Sequence, residues 1–323
     1  MITKKAPTRI DLAGGTLDIW PLSVMFAPAV SLNAAIDLYA TVQARKTKTP
    51  GAAVHARHYE KTITCSESVP EKHKTLFHRA YEFLPAPGWV FEADCLSPSG
   101  AGLGGSSSLL IAFLKALNAI RKEGLSDLDI LDAAKNIEAR HLGIPTGVQD
   151  YVAALNGGVM ATVCAAEGFR YERVKVPARE IERRVVLAYS GESRISGVPN
   201  WLMLKNAVEK KQQTVEAFSR IAANSLKVRA ALEKGNFGAV GKLIDVESLW
   251  RERLGKGVIT PRLRRAFSAA QKAGGHPKVC GAGGGGCFMV WCAPAQKEEI
   301  AAALAALGHR ILDFHVADAH AGD

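Results

Sequence analysis

Residues 97–108 read Ser-Pro-Ser-Gly-Ala-Gly-Leu-Gly-Gly-Ser-Ser-Ser, with Gly100, Gly102, Gly104 and Gly105 inside six positions. Backbone without side chains can approach an anion closely and aim several N–H groups at it. The stretch Trp89–Cys95 ahead of the loop has strand character, and residues 106–121 behind it form an apolar helix with Leu110, Phe113, Leu114 and Leu117 on one face. The helix N-terminus adds the positive end of its dipole, so the chemistry on offer is phosphate binding. Pro98 and Leu103 complete the loop, and Ser106, Ser107 and Ser108 supply hydroxyls for a phosphate or for Mg²⁺. A Walker loop is excluded, because its lysine is missing. Gly100, Gly102 and Gly105 match the letters of a dinucleotide fingerprint, but the helix leads into a second helix rather than a strand ending in an acidic residue.

Two further glycine clusters flank this loop. Gly281–Gly286, preceded by Lys278, stands just before an apolar strand, Cys287–Trp291. Such backbone loses much entropy on folding, and close approach of another backbone or of a ligand is the simplest reason for it. Near the start, residues 6–18 place Gly14 and Gly15 between Arg9 and Asp18. A strand carrying Arg9 would end at Gly14 and leave Asp18 in the following loop. Glu138 falls seven residues after Leu131 and four before Leu142, on an otherwise apolar helix face. A lone charge there costs several kcal/mol unless it is paired or bound to metal. The alternative is a salt bridge to a basic neighbour. Asp150 follows a loop, residues 145–149, that turns into an apolar segment.

The elements that must hold these residues are mixed. Residues 27–44 alternate as a strand, Ser126 opens a helix with capping-box form, and Gly143-Ile144-Pro145 stops it. Residues 184–189 read as a buried strand, and a long polar helical region runs from about 200 to 233. There is no regular βαβ alternation, which predicts an α+β fold rather than a doubly wound sheet. The joint between two domains is expected near 173–182, dividing the chain into 1–177 and 178–323.

Composition narrows the partners. The 323 residues are 48% hydrophobic and 22% charged, an ordinary globular mix that excludes disorder and a disulfide-dense miniature. Net charge is +10, which favours anionic partners such as phosphorylated metabolites or nucleotides. Basic residues are spread along the chain and aromatics are only 7%, which argues against nucleic acid. No apolar run is long enough for a membrane span, and no signal-peptide core fits the N-terminus. The six cysteines form no CxxC pair, so reduced thiols in a cytoplasmic protein are expected.

Taken together, the three clusters resemble the GHMP kinase superfamily: residues 7–18 its first motif, 98–107 its phosphate loop, 281–286 its third. The resemblance spans nearly the whole chain. It implies two α+β domains, the N-terminal one like ribosomal protein S5 domain 2 and the C-terminal one ferredoxin-like. It also implies an ATP- and Mg²⁺-dependent kinase. Ala-Gly-Gly in the first motif, Gly-Val-Gln-Asp at 147–150 and Ser-Gly-Glu-Ser-Arg at 190–194 look most like sugar kinases acting on heptose 7-phosphate or fucose. Those relatives usually read Ala-Gly-Gly-Gly-Thr-Asp where this chain has Ala-Gly-Gly-Thr-Leu-Asp.

By that resemblance, Asp150 acts as base or orienter of the acceptor hydroxyl, and Arg9 lowers that hydroxyl's pKa or steadies developing charge. An arginine cannot itself take a proton at pH 7, which leaves the base role to Asp150. Ser106 and Glu138 are the Mg²⁺ ligands. Asp18, Gly15, Thr16, Arg194, Gly283 and Gly284 are the implied substrate contacts. The expected acceptor is a small-molecule sugar or sugar phosphate, and the alternative is a mevalonate-type isoprenoid acid. Asp18 favours the sugar. A nucleic-acid-binding relative and a catalytically dead sensor are the readings from other classes, and the joint presence of Asp150, Glu138 and Ser106 speaks against the sensor. The protein is expected to work as a monomer or homodimer, with no membrane partner.

Overall fold

The structure is a computed structural model and describes residues 1–48, 51–57, 60–65, 68–165, 167–193 and 197–318. Among the described residues the strands form two sheets. The first contains β1 (Ile2–Ala13), β2 (Ala29–Lys46), β3 (Ala52–Ala56), β4 (Lys61–Thr64), β5 (Trp89–Cys95), β6 (Val159–Ala165) and β7 (Gly168–Arg173). β2 is its spine. One edge of β2 pairs antiparallel with β1 from Ala44 back to Leu32. The other edge is shared, with Ala40–Lys46 on β5 and Ala29–Ala34 on β6. Alternating small and β-branched residues suit a strand packed on both sides.

Four helices, Leu76–Phe83, Gly105–Arg121, Asp127–Leu142 and Gln149–Asn156, pack with this sheet around one apolar core. Phe113 stands edge-on to Phe77 and Phe91, with ring centroids 5.1 and 5.0 Å apart. The stripe expected on the helix after the phosphate loop is buried at all four positions, Leu110, Phe113, Leu114 and Leu117. Ser126 and Asp129 close the expected capping box, and Gly143 ends that helix at φ 69°.

The second sheet holds β8 (Val185–Tyr189), β9 (His276–Val279), β10 (Cys287–Trp291) and β11 (Arg310–Leu312), in the order β11-β8-β10-β9, all antiparallel. Helices connect β8 to β9, and the helix Lys297–Ala306 connects β10 to β11. This is the split βαβ arrangement of a ferredoxin-like unit. The predicted helical region 200–233 is two helices, Gly197–Val208 and Gln212–Glu233. Glu209, Lys210 and Lys211 between them are all exposed, so no packing holds a helix there, and Lys210 turns the chain at φ 56°. Three later helices, Phe237–Leu254, Pro261–Lys272 and Lys297–Ala306, have no counterpart in the sequence reading. After β11 the chain returns to the first sheet, where Val316 bridges Ile36 and Asp318 bridges Gly157. All six cysteines are buried thiols. Among the described residues no helix is long and apolar enough to cross a membrane.

Candidate active site

The phosphate loop runs from β5 into the helix Gly105–Arg121. Gly100, Gly102 and Gly104 take φ of +65°, +74° and +73°, left-handed conformations that glycine adopts without a Cβ clash. Alternating hands turn successive N–H groups inward, forming a concavity for an anion at the helix N-terminus. The loop is held from two sides. From β1, the Arg9 N–H donates to Leu103 O at 2.9 Å, and Arg9 Nη1 donates to Gly102 O at 2.6 Å. From β10, the Cys287 N–H donates to Ala101 O at 2.6 Å. A Cβ on Gly286 would stand 2.6 Å from that same oxygen, so here the third glycine cluster makes room for another backbone. Ser108 Oγ donates to Pro7 O at 2.8 Å, which ties the helix to β1 and turns this serine away from the anion site.

A cavity of about 210 Å³ opens beside the loop and is lined by Arg9, Thr16, Asp18, Ser106, Glu138 and Asp150, among others. The chain thus gathers residues from positions 9 to 150 around one space. Arg9 is buried on β1, and its Nε and Nη2 both donate to Asp150 Oδ1, at 2.7 and 2.6 Å. Asp150 sits in the first turn of the helix Gln149–Asn156 and stays a quarter exposed to the cavity. A Cβ on Gly104 would meet the Asp150 side chain at 3.1–3.3 Å. A side chain at Gly104 would therefore displace Asp150 as well as crowd the phosphate loop.

Glu138 has no cationic partner among the described residues. Its Oε2 accepts from Ser107 Oγ at 2.9 Å and from the Tyr151 hydroxyl, and the Ser106 hydroxyl is also within its reach. Burial pushes the Glu138 carboxyl up, the Tyr151 hydroxyl pulls it back, and the charge of Asp150 pushes it further up. The salt-bridge alternative is replaced by a pair of hydroxyls. Leu142, expected on the same apolar face, is exposed at the cavity mouth.

Asp18 is buried, and its Oδ2 accepts the N–H groups of Val148 and Gln149 at 2.7 and 2.9 Å. It caps the helix that carries Asp150. Burial raises its pKa and the Gln149 N–H lowers it, with the upward push prevailing. Gly147 is obligatory beside it, since a Cβ there would lie 2.0 Å from Asp18 Oδ2. Thr16 lines the cavity at φ 77°, in the left-handed region, at the position where the resembling motif usually has glycine. A β-branched residue is strained there.

The implied substrate contacts separate in space. Thr16 and Asp18 line the cavity; Gly15, Gly283 and Gly284 do not. Gly283 and Gly284 pack on the turn at Gly257 and Val258, where a Cβ on Gly283 would meet Val258 O at 2.5 Å. Gly281 and Ala282 are the members of the third cluster that reach the cavity wall. Arg194 lies outside the described residues.

The family description GHMP kinases N terminal domain matches residues 74–158, and GHMP kinases C terminal matches 228–310. The chain belongs to the GHMP kinases. It is similar to a D-glycero-alpha-D-manno-heptose 7-phosphate kinase from Campylobacter jejuni, 27% identical over 97% of this chain and 96% of that protein. A mevalonate kinase from Thermococcus gammatolerans is 28% identical over 65% of this chain and 61% of its own length. The crystal structure of a D-glycero-D-manno-heptose 1-phosphate kinase from Bacteroides thetaiotaomicron superposes with TM-score 0.76 at 24% identity, covering 98% of this chain and 97% of its own.

Two features of this GHMP kinase escaped the sequence reading. The first is a buried ionic cluster behind the site. Lys278 Nζ lies 2.9 Å from Asp11 Oδ1 and 3.5 Å from Glu247 Oε1, and Arg251 lies 2.9 Å from Glu247 Oε1 and 3.6 Å from Asp11 Oδ2. All four side chains are within 1% of complete burial. Glu247 accepts the Gly14 N–H, and Arg251 donates to Gly15 O at 2.6 Å and Gly281 O at 3.3 Å. Gly15 is thus part of this scaffold, where a Cβ would stand 2.1 Å from Asp11 Oδ2. The signals were present but silent: Glu247 and Arg251 are four apart on one helix face, and Asp11 shares a strand face with Arg9. The second is an apolar cleft of about 450 Å³ on the far side of Ser106, lined by Ile63, Leu76, Phe77, Leu109 and Leu110 with Lys61 and His141.

Proposed function

We propose that this kinase transfers the γ-phosphoryl group of ATP, with Mg²⁺, to a hydroxyl of a sugar or sugar phosphate. The observation that carries the reading is the Asp150–Arg9–Gly102 chain, which couples a carboxylate on the cavity wall to the phosphate loop through one buried guanidinium. Phosphoryl transfer asks for little covalent chemistry from the protein and much positioning and charge stabilisation. The glycine N–H groups and the helix N-terminus hold the phosphates. The apolar cleft shares Ser106 with the loop, which suits it to the nucleoside base. Glu138 and Ser106 are hard oxygen donors without a neutralising side chain, a set that fits Mg²⁺; bound there, the ion supplies positive charge to the phosphates. Asp150 accepts the proton of the acceptor hydroxyl, and Arg9 fixes the orientation of that carboxylate. The division of labour between residues 1–177 and 178–323 is part of the same proposal, with nucleotide binding and catalysis assigned to the first.

The sugar is preferred because the heptose 7-phosphate kinase aligns over nearly all of the chain, whereas the mevalonate kinase aligns over about two thirds. ADP release from ATP and Mg²⁺ is measured with heptose 7-phosphate, fucose, galactose and mevalonate as acceptors. Turnover of a sugar is expected. Turnover of mevalonate alone moves the assignment to the isoprenoid acid.

A further inference from the structure

We propose that Gln149 and Asn200 read acceptor hydroxyls flanking the one that is phosphorylated, so that the cavity selects polyhydroxylated acceptors. The inference rests on the kinase reading above and goes on to the chemical class of the acceptor.

Gln149 immediately precedes Asp150 at the start of its helix, is 8% exposed, and lines the cavity. Its N–H is used by Asp18, but its amide Oε1 is buried with no hydrogen-bond partner among the described residues. Asn200, in the helix Gly197–Val208, lines the same cavity, and its Oδ1 is also buried without a partner among the described residues. Buried polar atoms in folded proteins are nearly always paired, so each exception needs an explanation. Other unpartnered oxygens, on Asn33, Thr162 and Asp245, do not line the cavity. Two carboxamide residues from segments about fifty positions apart line one small space, and their unpartnered oxygens share a simple explanation. Each awaits an O–H donor that arrives with the ligand.

The chemistry restricts the ligand. An amide oxygen accepts and cannot donate, so it pairs with a hydroxyl and repels a carboxylate or a phosphate oxygen. Gln149 lines the same cavity as Asp150, the residue assigned to the attacked hydroxyl, so its partner would be a neighbouring hydroxyl of the same acceptor. A sugar or polyol carries such neighbours; an acid with an isolated alcohol does not. Sites built to hydrogen-bond a hydroxyl discriminate sharply against the analogue lacking it, because the protein group is then left unpaired.

The test compares the parent with Gln149→Met and Asn200→Leu, which keep approximate volume and remove the acceptor oxygen. Each is assayed for kcat/KM on the best sugar of the acceptor panel and on its monodeoxy analogues. The parent is expected to lose at least about 100-fold on one analogue deoxygenated next to the phosphorylated position, and Gln149→Met to shrink that penalty at least about tenfold. The variant's KM for ATP should match the parent's. Its ligand-free Tm should be equal or higher, since an unpaired buried oxygen has gone. A deoxy penalty unchanged in both variants overturns the inference while leaving the sugar-kinase reading intact. A ligand-free Tm lowered by several degrees also overturns it, because the amides would then be packing groups. Turnover of mevalonate and of no sugar sinks both readings together.

Discussion

Two groups of buried or half-buried carboxylates lie close together in this molecule and are built in opposite ways. Asp11 and Glu247 are met by Lys278 and Arg251, two negative charges against two positive ones, all buried. Burial alone would raise the Asp11 pKa, but the charges of Lys278, Arg251 and Arg9 outweigh it and hold the carboxyl below its usual range. Glu138, Asp18 and Asp150 line the cavity with Arg9 as the cation among the described lining residues, and Arg9 is engaged by Asp150. There burial prevails, and Glu138 and Asp18 are both pushed up. A balanced set of charges is scaffold: it locks the Gly14–Gly15 turn to the Gly281 loop. An unbalanced set suits the proposed roles, in which a cation arrives at Glu138 and a hydroxyl proton at Asp150.

The contrast can be broken at four points. The largest effect is expected at Asp150, where Asp150→Asn keeps volume and removes the proposed base. General-base contributions imply a kcat loss of about 10²–10⁴-fold, with ATP affinity and Tm little changed. A kcat within about threefold of the parent in steady-state kinetics would make Asp150 a structural turn residue and leave Arg9 as the main catalytic candidate.

Lys278→Met should act on stability instead. It leaves Asp11 and Glu247 buried with one cation, and removing one partner of a buried pair costs about 3–5 kcal/mol in denaturant titrations. Asp11 also contributes to the acid side of the curve. Its folded pKa lies below the unfolded value, so its contribution is complete above the ordinary carboxylate range and disappears as pH falls through the lowered folded value. Asp11→Asn should flatten that acid limb. An unaltered acid limb in the variant would show that the cluster is not held by charge.

Glu138→Gln has the opposite sign. The folded carboxyl titrates above the unfolded one, so ionisation opposes folding at neutral pH and this opposition is relieved as pH falls through the folded pKa. The variant should equal or exceed the parent by about 1 kcal/mol at neutral pH, with the gap closing in acid. Turnover should need more Mg²⁺. A loss of stability with unchanged metal demand would class Glu138 with the scaffold cluster.

Thr16→Gly is the smallest. Relief of the left-handed backbone is offset in part by glycine's entropy in the unfolded chain, leaving a gain of up to about 1 kcal/mol. A clear loss of stability would mean that the threonine side chain is anchoring the turn rather than straining it.

How much of this could be read from the chain depends on the distance over which each requirement acts. The phosphate loop was legible because its demands are local: left-handed residues need glycine, and the strand before it and helix after it announce themselves by pattern. Glu138 was legible because helical periodicity marks a charge on an apolar face. The break at Lys210 was not, because helix propensity continues through residues that packing does not support. Tyr151 was missed as the partner of Glu138, since their meeting depends on how two helices cross. Asp18 lines the cavity, yet nothing in its spacing indicated that it caps the helix of Asp150, some 130 positions away. Likewise, Glu247 and Arg251 declare an i, i+4 pair on their helix, but their contacts with Gly14 and Gly15 span more than two hundred residues. Sequence by itself determined the local conformations and the residue types from which a phosphate site could be made. Tertiary structure alone decided which buried carboxylate received a cation and which did not, because burial and pairing are properties of the assembled core and of no single segment.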